Sequence, residues 1–70
     1  MRYVVKRTDG KLFQFRARRA AWVERVDDAA QFENRAAAKL VSARCPDSSV
    51  YCVKHGQFGY FLEEIVRRVV

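Results

Sequence analysis

The first nineteen residues set out a hairpin in their pattern of apolar and polar positions. Arg2–Arg7, RYVVKR, is aromatic and β-branched, the composition of a strand. Thr8-Asp9-Gly10 follows as a turn, with Gly10 free to adopt a left-handed backbone. Phe13–Arg19, FQFRARR, resumes in extended form, and successive side chains of a strand point to opposite faces. Phe13, Phe15 and Ala17 then face one way, and Gln14, Arg16 and Arg18 the other. Pairing decides the turn length. A two-residue Asp-Gly turn sets Lys6 beside Phe13 and Val5 beside Gln14, which mixes the faces. A three-residue Thr-Asp-Gly turn sets Val5 beside Phe13, Tyr3 beside Phe15, Val4 beside Gln14 and Arg2 beside Arg16. Only that register keeps the faces separate, and such separation fixes a register. The expectation is a hairpin over 2–7 and 11–17, with Phe13 and Phe15 in the core and Arg2, Lys6, Arg16 and Arg18 outside.

The periodicity then changes. Ala20–Arg25 carries the only tryptophan, Trp22, which reads as a cover over the open edge of the core. Asp27–Ala30 reads as a short turn and Phe32 as a core residue. Arg35–Arg44, RAAAKLVSAR, is the clearest helix, with Ala36, Ala37, Leu40 and Val41 at helical spacing. Asn34 is its N-cap candidate, and Pro46 stops it. Val50–His55, VYCVKH, reads as a strand, and Gly56 and Gly59 flank a break. The segment from Tyr60 to Val70 admits two readings. As a helix, Phe61, Leu62, Ile65, Val66 and Val69 share one face. Glu63–Arg67 and Glu64–Arg68 then fall at the favourable i,i+4 spacing. As a strand it suits the valine and isoleucine content but needs a bulge to restore alternation. Helix is the favoured reading for 60–69, with strand as the alternative. The whole chain reads as one compact α+β domain over 1–70. A small antiparallel sheet, made of hairpin 2–7/11–17 and a strand at about 50–55, packs on a central helix at about 34–44.

Charge sharpens the picture of the hairpin. Residues 1–25 hold eight of the fourteen basic residues against Asp9 and Glu24 alone, so this third carries the entire net charge of +6. Residues 26–70 balance six basic against six acidic residues. Segregated charge marks a face with a partner more than a general need for solubility. Ten of the fourteen cations are arginine, whose planar guanidinium binds carboxylate and phosphate in a bidentate fork. Arg2, Lys6, Arg16, Arg18 and Arg19 are the candidate partner-binding residues, as an electrostatic patch. Its partner would be an acidic protein surface or a nucleic-acid backbone, with DNA or RNA both open. A small-molecule ligand is not expected.

No catalytic constellation accompanies this patch. Cys45, Cys52 and His55 lack the fourth ligand and the close-spaced pairs of a structural zinc site. On a strand, Cys52 and His55 point to opposite faces, which does not suit a nucleophile and its base. The carboxylate pairs Asp27-Asp28 and Glu63-Glu64 read as acidity at a helix start and as solvated ion pairs. The three glycines are isolated turn residues and form no phosphate loop. The expectation is a non-enzymatic protein with no catalytic residue, metal or cofactor. No run approaches the ~20 apolar residues of a membrane helix. No signal peptide is read at the N-terminus, and two cysteines at this spacing fit reduced thiols in the cytoplasm.

Two resemblances add to this reading. Val53–Phe61, VKHGQFGYF, resembles a short β-hairpin in the zinc-ribbon repeats of bacterial topoisomerase I; the flanking zinc-binding cysteines are absent, so only the hairpin shape carries over. The opening RYVVKRTDGKLFQF, Trp22 followed by Asp28-Ala29 and Phe32, and the helix RAAAKLVSAR together resemble small proteins of phages and prophages. Within that group the chain is similar to anti-CRISPR inhibitors, in particular those acting on type I-C effector complexes. The resemblance implies a non-enzymatic inhibitor in the host cytoplasm that binds the RNA-guided complex and blocks DNA binding. The basic hairpin face would be its contact surface. The alternatives are a small basic nucleic-acid-binding module and an accessory structural protein of a prophage.

Overall fold

The computed structural model describes residues 1–65. Five strands form one antiparallel sheet: β1 (Arg2–Arg7), β2 (Leu12–Arg16), β3 (Arg19–Val23), β4 (Ser48–Gly56) and β5 (Gly59–Glu64). Their spatial order is β3-β2-β1-β4-β5. One helix, α1 (Arg35–Arg44), packs against β1 and β4 on one face of the sheet. The α+β class and the N-terminal hairpin thus follow the sequence pattern. The three-residue turn is present as well. The Arg7 N–H donates to the Lys11 carbonyl at 2.8 Å, the Gly10 N–H donates to the Arg7 carbonyl at 2.9 Å, and Gly10 has φ +91°. Lys6 pairs with Leu12, the register that separates the two faces.

Beyond that pair the two strands part, which no local pattern in either strand foretells. Residues 30–32 enter between their diverging ends. Tyr3 and Phe32 exchange two backbone hydrogen bonds at 2.8 Å, and the Ala30 N–H donates to the Phe13 carbonyl at 2.9 Å. Arg2 and Arg16 are therefore not paired across the strands, because this inserted segment separates them. A second expectation also fails. The extended run ends at Arg16, and the chain reverses through Ala17 and Arg18 into β3, so Ala17 and Arg18 belong to a turn.

Both faces of the sheet carry a core. Val4 and Val5, consecutive in β1, are each fully buried. Val5, Phe13, Val50 and Ala38 pack on the helix side. Val4, Leu12 and Val53 pack on the other side under Ala29, which follows a single 3-10 turn at Val26–Asp28. The helix starts where expected, with the Asn34 side chain accepting from the Ala36 N–H at 2.7 Å. Its buried face is rotated from the expected one. Ala38 is the fully buried residue, with Val41 and Cys45 beside it, and Leu40 is 71% exposed. A small side chain at the closest approach lets the helix lie near the sheet, and this carries Leu40 outward. Phe15 is likewise not core: it is 57% exposed, although its ring meets Phe13 edge-on at 4.7 Å. Helix α1 spans β1 and β4 and leaves the β2–β3 end of that face open.

Gly56 pairs with Gly59, so β4 and β5 form a hairpin, and the alternative strand reading holds for Gly59–Glu64. Backbone pairing with β4 overrides the helical periodicity of this stretch. The i,i+4 ion pairs expected of Glu63 and Glu64 do not apply to a strand. The rest of the expected helix, residues 66–69, lies outside the described residues.

Candidate functional site

The β2–β3 hairpin concentrates the arginines. Arg16 and Arg19 are directly opposed at its end, and Arg18 sits in the two-residue turn between them. Ala17 and Arg18 have φ of 49° and 63°, so the turn is of the type with both central residues left-handed. Asn-Gly is the usual sequence there. For other residues the left-handed region costs roughly 1–2 kcal/mol each. Like charges directly opposite are also unfavourable. The hairpin thus sets three arginines within four consecutive residues of one tip, against local conformational and electrostatic preference.

Antiparallel topology brings Arg2 to the same end of the sheet. β1 begins where β2 ends, and β4 ends there too, since Arg2 pairs with Val53. Side-chain alternation places Arg2, Arg16 and Arg19 on the face away from the helix, the face of Val4 and Leu12. Among the described residues, Arg16, Arg18 and Arg19 make no ion pair, and Arg2 has only Glu33 at 3.9 Å, both exposed. An exposed pair at that separation contributes little.

Lys6 and Arg7 stand apart. Lys6 lies four residues along β1 from Arg2, about 13 Å at strand rise, with its ammonium 5.0 Å from the Tyr51 ring centroid. Arg7 is occupied. Its guanidinium lies 4.3 Å from the Trp22 ring centroid and donates to Asp9 Oδ2 at 2.6 and 3.1 Å. The Asp9 carboxylate also accepts from the Lys11 N–H at 3.1 Å. The Arg7 hydrogen bond, reinforced by that backbone bond, holds the Asp9 carboxyl down at about 2. Trp22 meets Phe13 edge-on at 5.8 Å and is half-buried under Arg7, so it serves the core edge, as its sequence position suggests. Of the five candidate residues, the structure brings Arg2, Arg16, Arg18 and Arg19 to one end of the sheet and sets Lys6 at the other.

A group of aromatics at that same end is absent from the sequence-based candidates. The β4–β5 turn carries Phe58, 97% exposed, and next to it Tyr60 and Phe61, each about half exposed. His55 and Tyr60 are paired across the strands with ring centroids 4.7 Å apart. They lie on the face of Val53 and Leu62, which is the face of Arg2, Arg16 and Arg19. The glycines flanking Gln57-Phe58 are the one sequence signal for an exposed tip.

On the helix side, Phe13, Phe15, Ala20, Phe32, Leu40 and Val41 line an apolar groove of about 470 Å³, with Arg44 at its rim. Cys52 is buried and Cys45 half-buried, both as free thiols. Among the described residues, no three His, Cys, Asp or Glu side chains gather as a metal set, and no helix is long and apolar enough to cross a membrane.

No family model, curated protein or solved structure matches the chain.

Proposed function

We propose that the protein is a non-enzymatic binding module whose arginine-bearing sheet end grips a nucleic-acid backbone. The carrying observation is the hairpin tip, where Arg16, Arg18 and Arg19 converge without an acidic partner among the described residues, with Arg2 at the same end. Guanidinium forks match phosphate oxygens, and a cluster held against its own repulsion gains from an anion that neutralises it. A β-hairpin is narrow enough to follow a groove or a strand of nucleic acid. Four phosphate contacts predict affinity falling with salt at a log–log slope of about −3.5 on duplex and about −3 on single strands. Titration of the protein into labelled DNA over 50–300 mM salt tests this. Arg16→Glu with Arg19→Glu should remove the binding and leave thermal stability nearly unchanged, as surface changes usually do. No binding by the wild-type protein at low salt would reject the reading.

A second reading draws on the apolar groove. Exposed Phe15 and Leu40 on the groove, with Arg44 at its rim, are features of a protein-binding surface, where aromatic residues and arginine are enriched. Combined with the resemblance to phage proteins, this supports an anti-CRISPR inhibitor that docks on an effector complex and blocks its DNA binding. Co-migration with a type I-C effector complex tests it, with Phe15→Asp plus Leu40→Asp expected to abolish co-migration and Arg16→Glu plus Arg19→Glu to weaken it.

A further inference from the structure

We infer that the aromatic tip of the β4–β5 hairpin makes this surface selective for single-stranded nucleic acid, by stacking unpaired bases while the arginine hairpin holds the backbone. The inference rests on the nucleic-acid reading above and adds a ligand class to it. Three observations lead there. Phe58 is 97% exposed on a two-residue turn, so its ring contributes almost nothing to folding. Tyr60 and His55 form an adjacent ring pair on the same sheet face as the arginines. The topology sets both hairpin tips at one end of the sheet, with the start of β1 and the inserted residues 30–32 between them.

The spacing suits a short single strand. From the middle of the β2–β3 hairpin to the middle of β4–β5 is three strand spacings, and the inserted segment adds a fourth, for a total of about 19 Å. A few nucleotides of extended strand cover that distance. Their phosphates meet Arg16, Arg18, Arg19 and Arg2, and their bases reach the rings. Stacking needs a base with a free π-face, which an intact duplex offers only at its ends, so the aromatic contribution falls on single strands alone. Charge complementarity is what selects this occupant over an apolar one. The aromatic tip shares its end of the sheet with four arginines. Glu33 near Arg2, Glu64 opposite Tyr51, and Asp27 and Asp28 on the 3-10 turn beside Gln14 are carboxylates on or beside this face, and none of them lies in either two-residue turn.

Fluorescence anisotropy with three 12-residue probes separates the parts: oligothymidylate, the same length of abasic phosphodiester, and a 12-base-pair duplex. The expected result is oligothymidylate binding at least tenfold tighter than the abasic strand, because the two differ in bases and share their charge. Phe58→Ala should lose about tenfold on oligothymidylate, Tyr60→Ala a similar factor, and both should stay within twofold of wild type on the duplex and the abasic strand. The salt slope should not move with either variant, whereas Arg16→Glu plus Arg19→Glu should remove binding to every probe. Equal affinity for oligothymidylate and the abasic strand would overturn the stacking inference and leave the phosphate reading standing. Stacking is overturned in the same way if Phe58→Ala and Tyr60→Ala both leave oligothymidylate binding unchanged. Absence of binding to all three probes would overturn both.

Discussion

Two hairpins end at the same edge of this sheet and solve the same problem in opposite ways. The β4–β5 hairpin closes with Gly56 and Gly59 as its last pair, and Gly59 takes φ +120°, a conformation only glycine adopts without strain. The β2–β3 hairpin closes with Arg16 and Arg19, and its left-handed positions are Ala17 and Arg18. One turn follows local preference and presents an aromatic ring. The other departs from it and presents three cations. Strain of this kind persists where surrounding structure enforces it, and it gathers at functional positions. Here the root of the arginine hairpin supplies the enforcement, through Phe13 packed on Trp22 and the helix-side core. Of the two tips, the arginine tip is the one whose backbone and charge both oppose stability, and it is where the proposal places the partner.

The largest expected effect tests that root. Phe13→Ala removes a buried ring and should cost about 3–5 kcal/mol, enough to unfold a domain of this size. Phe15→Ala, two residues on and 57% exposed, should cost far less, about 1 kcal/mol or below. Urea denaturation of the two variants measures the difference. Equal losses would mean that the β2–β3 hairpin is anchored along its length and not only at its root.

Legibility in the sequence divides along the same line. Thr8-Asp9-Gly10 announces its turn, its length and its register, because glycine chemistry and face separation agree there. Asn34, Pro46 and the alanine-rich run announce the helix for equally local reasons. Ala17-Arg18 carries no turn signal at all, so FQFRARR reads as one continuous strand and β3 stays hidden. Alternation assigns Phe15 to the core, which is correct for direction but silent about coverage. Whether a ring on the inner face is buried depends on how far the helix reaches, and that is a tertiary fact. The tail's helical periodicity loses to pairing with β4, an interaction that no local window contains. Arg2, Arg16, Arg18 and Arg19 are visible as charge. Their company with Phe58 and Tyr60 is not, because it arises from strand order.

The turns themselves give the next test. Ala17→Asn with Arg18→Gly installs the usual residues of a left-handed turn and should raise stability by about 1–2 kcal/mol, while weakening nucleic-acid binding through the loss of one cation. Gly59→Ala is the mirror experiment. A Cβ there meets no atom within 4 Å, so the expected loss of about 1 kcal/mol is conformational alone. Thermal melts of both should move in opposite directions, by about 4–8 °C per kcal/mol. A smaller shift is expected from Arg19→Glu. It turns the repulsive Arg16–Arg19 pair into an attractive one, worth about 0.2–1 kcal/mol, and it should stabilise the fold while it weakens binding. Stabilisation without loss of binding would remove Arg19 from the site.

The smallest effect concerns the third turn, Thr8–Gly10, where a left-handed Gly10 is joined by a side chain that ties the turn together. Asp9 accepts from the Arg7 guanidinium and from the Lys11 N–H, and these bonds hold its carboxyl at about 2, below the ~3.9 of an unfolded chain. Between these two values the unfolded chain binds more protons than the folded one, so stability rises with pH across that window. The contribution is fully present above about pH 4 and is lost as pH falls through about 2. Asp9→Asn should therefore melt at a lower temperature than wild type at pH 7, and the gap should narrow as the pH falls from about 5 to 2. Arg7 would lose one of its two contacts and keep the Trp22 ring, so the β1–β2 turn should loosen without freeing the cation for a partner. Nucleic-acid affinity at pH 7 should stay within twofold of wild type in this variant. A clear gain in affinity would mean that Arg7, once released from Asp9, joins the binding surface, and the arginine hairpin would no longer account for the site by itself.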